Sequence, residues 1–344
     1  MDKRKILVVE VNWLGDVLFS TAAIRAIKNK YPDSYLACLL HKRCKEVLVG
    51  NPYVDEIIIL DEEGEHRGFK GLIKLVRQLK VGKFDIVYLF HRSFTRTLAC
   101  FLAGIKTRIG YFTAKRRCLL TESVSPPEGI FHRAAFYHYL VTRTLTNDKD
   151  ILHSDFYVDD EDSAYVASVL EEEGLDKSAK VVVMHPSGNW PLKRWPKENF
   201  AQLADTLINE FGVSVVFSGA VKERDIIKDI LDTMKNKAVS LCGRINLKQL
   251  GALLNKANIV ISADSGPLHI AVALYRPTVA LFGPTSIDVT GPLTKKDLIL
   301  LKRGTDCAIP CYKEDCPDNV CMKNITPQDV AKAIEDKKWL TRKV

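Results

Sequence analysis

Ala257-Asn258-Ile259-Val260-Ile261-Ser262-Ala263-Asp264-Ser265-Gly266-Pro267-Leu268-His269-Ile270-Ala271 reads as a buried strand, a tight turn and the start of a helix. Asn258 to Ala263 is rich in β-branched residues and short enough for a strand of a parallel sheet. Asp264, Ser265 and Gly266 are turn and N-cap residues. Pro267 suits the first helical position, where its missing N–H would have had no partner. Leu268, Ile270, Ala271, Ala273 and Leu274 carry the helix on. A turn of this kind leaves backbone N–H groups at a helix N-terminus, where the dipole favours an anion. Taken alone, the stretch is equally an ordinary capped helix in an α/β sheet.

The pattern recurs on both sides. Strands are expected at 6–10, 34–40, 56–60, 84–90 and 107–111, with helices at 17–30, 71–80, 97–103 and 132–144. A second series runs 180–185, 213–218, 238–242, 258–263 and 278–282, with helices at 197–211, 222–234 and 247–256 between. Alternating strand and helix signals a parallel sheet with helices on both faces. The chain is therefore divided into a domain over 1–160, a linker helix over 161–179 opened by Asp159-Asp160-Glu161-Asp162, and a second domain over 180–325. Thr326 and Pro327 open a last helix over 326–344, expected to pack back toward the first domain. Two Rossmann-like doubly wound domains of comparable size imply a cleft between them.

At 344 residues, 47% of them hydrophobic, the chain can bury two cores. No apolar run reaches the roughly 18 residues a bilayer span needs, and the N-terminus lacks the pattern of a signal peptide, so a cytoplasmic protein is expected. The net charge of +8 is uneven: residues 1–150 hold 25 Lys and Arg against 16 Asp and Glu, leaving 25 against 26 for the rest. A basic first half favours an anionic partner such as a phosphorylated lipid, a membrane surface or nucleic acid. The amphipathic helix at 71–80 carries Lys70, Lys74, Arg77, Lys80 and Lys83 opposite its apolar stripe. It fits either a membrane surface or a surface helix packed on the sheet.

The chemistry-bearing segments follow strands. No G-x-G-x-x-G and no P-loop is present, which argues against a nicotinamide oxidoreductase and a P-loop NTPase. In the second half His185-Pro186-Ser187-Gly188 with Lys193-Arg194-Trp195-Pro196, Ser218-Gly219-Ala220-Val221-Lys222-Glu223, and Asp264-Ser265-Gly266 all sit where α/β sheets bind ligands. They offer hydroxyls, cations and a carboxylate suited to a nucleotide or nucleotide sugar. In the first half Asp16, just past the first strand, is either a helix N-cap or a carboxylate facing the cleft as general base.

Taken together, these residues resemble glycosyltransferase family 9, the ADP-heptose:lipopolysaccharide heptosyltransferases. Asn12-Trp13-Leu14-Gly15-Asp16-Val17, His185-Pro186-Ser187-Gly188, Lys193-Arg194-Trp195-Pro196, Asp264-Ser265-Gly266-Pro267-Leu268-His269 and Phe282-Gly283-Pro284-Thr285 carry the resemblance. The run Cys307, Cys311, Cys316 and Cys321 is most like the heptosyltransferase II branch. The resemblance implies a GT-B fold, with an acceptor-binding first domain and a second domain that binds ADP-heptose. It implies inversion at the anomeric carbon with neither metal nor cofactor. It also implies Asp16 as base, Ser187, Gly188 and Lys193 (or Arg194) at the diphosphate, Glu223 at ribose, Ile245 at adenine, Asp264 at the sugar, and Ser265, Gly266 and His269 in the phosphate turn. Asn12, Trp13, Arg92, Lys115 and Arg116 are expected at an anionic lipid A–core acceptor of the heptosyl-Kdo-lipid A type, with peripheral contact to the inner membrane leaflet and no nucleic acid. Independently, a direct displacement needs a base for the acceptor hydroxyl and positive charge at the leaving diphosphate. Two rival readings are a family member with another sugar donor or acceptor and a nucleotide-sugar-binding protein without catalysis. The four cysteines could alternatively hold a structural zinc.

Overall fold

Apolar runs such as Lys5–Val9 and Val181–His185 are buried along nearly their whole length, as strands covered by helices on both faces must be. The computed structural model describes residues 3–342 apart from 189, 295, 296, 303, 305, 312 and 314. The chain divides into two units, Met1–Tyr157 and Val158–Val344.

The first unit runs β1 (Lys5–Val9), α1 (Leu14–Lys30), β2 (Tyr35–His41), α2 (Lys45–Leu48), β3 (Glu56–Leu60), α3 (Gly68–Gly82), β4 (Ile86–Leu89), α4 (Phe94–Leu102), β5 (Thr107–Tyr111), β6 (Glu122–Val124) and α5 (Arg133–Thr142). Its six parallel strands lie in the order β3-β2-β1-β4-β5-β6. Helices α3 and α4 pack side by side, and their Leu75, Leu79, Ala99 and Cys100 close a core over Leu7, Val9, Leu39 and Val87. Helix α1 packs on α5.

The second unit runs α6 (Asp160–Glu172), β7 (Val181–His185), α7 (Lys197–Phe211), β8 (Ser214–Phe217), α8 (Arg224–Thr233), β9 (Val239–Ser240), α9 (Leu247–Lys256), β10 (Ile259–Ala263), α10 (Gly266–Ala273), β11 (Thr278–Leu281), α11 (Ile287–Thr290), β12 (Leu298–Leu301), α12 (Val320–Lys323) and α13 (Pro327–Asp336). Its sheet repeats the topology, β12-β11-β10-β7-β8-β9, again all parallel. Among the described residues no helix is long and apolar enough to cross a membrane.

Two expected boundaries shift. The presumed linker helix, α6, belongs to the second unit: it buries Val166, Val169 and Leu170 and packs on α9, so its apolar face already has a partner. Helix α13 seats Val330, Ala331 and Ile334 in the second unit's core against α7. The apolar stripe expected to reach toward the first domain is taken up there.

Candidate active site

In each sheet the chain starts at the middle and leaves in opposite directions, so the strand order reverses beside β1 and β4 and again beside β7 and β10. Outside the carboxyl ends of such neighbouring strands the connections part, leaving the crevice in which doubly wound sheets bind ligands. Both polar clusters of this protein stand at those two points.

In the second unit, Asp264 directly follows β10 and Ser265 caps α10, its hydroxyl accepting from the Leu268 amide at 3.4 Å. Asp264 is buried and takes three partners. Lys193 Nζ donates to Oδ2 at 2.7 Å, Thr290 Oγ1 to the same oxygen at 3.3 Å, and His269 Nε2 lies 3.2 Å from Oδ1. Burial works to raise its pKa, but His269 and Lys193 outweigh that and hold the carboxyl well below the usual carboxylate range. Of the two candidate cations, Lys193 joins this cluster. Arg194 turns back, its guanidinium donating to the Gly188 carbonyl at 2.9 and 3.0 Å. Beside it, Ser187 Oγ donates to Glu223 Oε1 at 2.7 Å, and the Ala220 amide donates to Oε2 at 2.7 Å. His185 Nδ1 meets Ser218 Oγ at 3.2 Å, and burial lowers the His185 pKa, keeping the ring neutral. Ile245 lies half-buried in the loop from β9 to α9, at the same edge of the sheet.

In the first unit, Asp16 occupies the first turn of α1 while Trp13 takes the N-cap position, so Asp16 is not the helix cap. Its carboxylate is 25% exposed, with Tyr137 Oη donating to Oδ1 at 3.1 Å and Arg133 Nε 3.8 Å away. A carboxylate so placed is oriented by a hydroxyl and reachable by a substrate. Behind it stands Glu10, wholly buried at the end of β1, its carboxyl pushed up to about 8 chiefly by burial, with Asp16 adding to the rise. Arg96, also buried, forks onto Glu62 at 2.6 and 3.1 Å, and reaches Asn12 Oδ1 at 2.8 Å and the Glu10 carbonyl at 3.1 Å. Glu10, Arg96, Glu62 and Tyr137 are not among the site residues expected from the sequence. A carboxylate closing the apolar run Ile6-Leu7-Val8-Val9 was the one sequence signal available.

The expected acceptor residues divide. Trp13 is exposed under the Arg43 guanidinium, Arg92 stacks on Tyr111 and Phe136, and Lys115 is exposed. Arg116 differs: it is 0% exposed and donates to the His91 and Tyr111 carbonyls, each at 2.7 Å. Those bonds tie the ends of β4 and β5 together, so Arg116 braces the sheet and does not face a ligand. Among the described residues no group of three or more His, Cys, Asp or Glu is placed to hold a metal ion, and Cys307, Cys311, Cys316 and Cys321 are not joined in disulfides. A cavity of about 320 Å³ opens between Pro186, Trp195, Phe200, Ile226 and Ile230. Its lining includes Arg194 but none of Ser187, Lys193, Glu223 or Asp264, so it is separate from the charged cluster.

Two parallel doubly wound units, each with its polar cluster at the switch point, are the architecture of the GT-B glycosyltransferases. The sequence model of glycosyltransferase family 9 (heptosyltransferase) matches residues 72–320, and the chain belongs to that family. It is 29% identical over 314 residues to lipopolysaccharide heptosyltransferase 2 of Escherichia coli K12, covering 86% of this chain and 87% of that one. Among solved structures it is similar to ADP-heptose lipopolysaccharide heptosyltransferase II of E. coli, with a TM-score of 0.81 at 27% identity and 96% and 98% of the two chains covered. A family 9 glycosyltransferase from Veillonella parvula superposes with a TM-score of 0.87 at 24% identity over 98% and 97% of the chains, a likeness of fold.

Proposed function

We propose that this protein transfers heptose from ADP-heptose to the inner core of lipopolysaccharide, inverting the anomeric centre, with Asp16 as general base. The observation that carries the reading is Asp16 itself, a partly exposed carboxylate at the β1/β4 switch point, oriented by Tyr137. The acceptor hydroxyl attacks C1 of the heptose while the bond from C1 to the diphosphate oxygen breaks. The bonding pair leaves with ADP, and the hydroxyl proton passes to Asp16. Charge building on the leaving diphosphate meets Lys193 and the N–H groups at the start of α10, fixed in place before reaction. These groups can serve without a metal ion, so transfer should persist in chelator. Ser187 and Gly188 flank the same site, Glu223 keeps lone pairs for the ribose hydroxyls, and Ile245 stands at the edge where adenine would lie. The names of the relatives support the donor and acceptor classes. A lipid-anchored acceptor would bring this protein to the cytoplasmic face of the inner membrane.

Calorimetric titration with ADP-heptose, UDP- and GDP-sugars and ADP-hexoses, without added metal, tests the donor. Preference for ADP-heptose is expected; preference for a uridine or guanosine donor would overturn the lipopolysaccharide assignment. Asp16→Asn should bind ADP-heptose as the wild type does and lose at least about a hundredfold in kcat. Undiminished turnover would remove Asp16 as base.

A further inference from the structure

Between Arg67 and Thr121 the chain places 13 Lys and Arg and a single acid, Asp85; of these cations Arg96 and Arg116 are buried, and Lys74 and Arg96 pair with Glu65 and Glu62 just before the stretch. Asp85 is engaged, accepting from the Lys5 backbone amide at 2.9 Å. This stretch holds α3 and α4, which lie together over one face of the first sheet. Both helices bury one side and leave large apolar groups on the other. On α3, Phe69 is 77% and Val81 80% exposed, with Ile73 one turn beyond Phe69; on α4, Phe101 and Leu102 are about half exposed. Lys70, Arg77 and Lys80 are exposed among the α3 residues.

Scattered single apolar groups on a surface need no explanation. Two packed helices that both present aromatic and aliphatic side chains, in a segment almost without acids, do. Nucleic acid would match the charge alone. The apolar groups add a requirement that the interface of an anionic bilayer meets, where rings and aliphatic chains enter the headgroup boundary and cations stay among phosphates.

We propose that the exposed face of α3 and α4 is a docking surface for an anionic phospholipid bilayer. It deepens the membrane reading above and is independent of Asp16. The surface explains why the first unit carries the whole positive excess of the chain: the lipid-borne acceptor is met by a unit already held at the membrane.

Co-flotation with phosphatidylethanolamine–phosphatidylglycerol vesicles, against phosphatidylcholine vesicles, tests it without any activity readout. The wild type should float with the anionic vesicles and not with the neutral ones. The triple variant Lys70→Glu, Arg77→Glu, Lys80→Glu should bind them at least about tenfold more weakly. Phe69→Ser with Phe101→Ser should weaken binding and leave its residual part abolished by salt. All these side chains are exposed, so the variants should keep wild-type melting and wild-type ADP binding. A wild type that stays off anionic vesicles would overturn the proposal, as would variants that bind like wild type. So would a homodimer that the aromatic variant dissolves, or binding to duplex DNA but not to vesicles. Failure of the donor titration would leave the flotation result standing.

Discussion

Glu10 joins a buried group to a pH dependence that can be measured. Ser20 Oγ lies 2.9 and 3.0 Å from the two Glu10 carboxyl oxygens and 2.8 Å from the Val17 carbonyl. A hydroxyl has one proton, and if it goes to the Val17 carbonyl, the Glu10 carboxyl must supply its own. Burial pushes the carboxyl up from 4.5 to about 8, outweighing the hydrogen bonds from Ser20 and the Val11 amide, which work to lower it. The sign follows: below the unfolded value both states hold the proton, and between the two values only the folded state does. Stability is thus present in acid and lost as pH rises from about 4.5 through about 8. At about 1.4 kcal/mol per unit this reaches at most roughly 5 kcal/mol. Glu10→Gln can donate to Ser20 at every pH. In urea unfolding it should match the wild type near pH 5 and exceed it by several kcal/mol near pH 9; a wild type equally stable at both ends would sink the argument. At the second site, Lys193→Met leaves Asp264 buried with one cation fewer. Because Lys193 is itself partly exposed, a loss of roughly 2–3 kcal/mol in stability is expected, less than for a fully buried pair. Calorimetry should show ADP-heptose binding weakened by about tenfold or more, with Lys193→Arg recovering most of it. Lys193, Asp264 and Glu223 could be picked from the sequence because each follows a strand. That Lys193 pairs with Asp264, and Ser187 with Glu223, could not, since residues 71 and 36 apart meet only through the parallel sheet.

At the scale of elements, α7 and α9 take the bounds expected of them, one without a side-chain cap and one with. Helix α9 begins at Asn246, whose side chain accepts from Gln249 N while Gln249 returns the bond, and its bounds agree with expectation. Helix α13 has the same device in Thr326 and Asp329. The sequence does not mark β6 and β12 because they are short and little buried: β6 has three residues and β12 four, each with one buried side chain. Helix α1 begins before the expected Val17, because Leu14 and Gly15 read as turn residues and no side chain caps the helix. What periodicity could not tell was which neighbour an amphipathic helix would choose, hence the different seats of α6 and α13. The seat of α13 is testable. Ile334 is 0% exposed within the second unit's core, so Ile334→Ala should cost about 2–5 kcal/mol in unfolding free energy. Thr326→Ala, which removes only the cap, should cost about 1 kcal/mol. Equal and negligible effects in chemical denaturation would mean that α13 frays from α7.

The whole molecule is two structures of one topology with different charge. Each sheet builds its own core: Leu7, Leu39, Val87 and Leu75 in one, Val182, Phe200, Ile261 and Ile334 in the other. The polar cluster proposed to hold the donor lies wholly in the second, where Ser187, Lys193, Glu223 and Asp264 join elements of that unit alone. A ligand stabilises only what it binds. ADP at about a hundred times its dissociation constant adds about 2.7 kcal/mol to the unit that holds it. For a unit running from Val158 to Val344, that amounts to a rise of roughly 5–10 °C in its melting temperature. Scanning calorimetry should therefore show two transitions, of which ADP moves one, and the same one in Asp16→Asn. Glu10→Gln, conversely, should move the other transition at alkaline pH and leave the ADP-sensitive one alone. If ADP shifts both together, the two cores unfold as one cooperative system, and the stability changes of the first-unit and second-unit variants must then be read on a single scale.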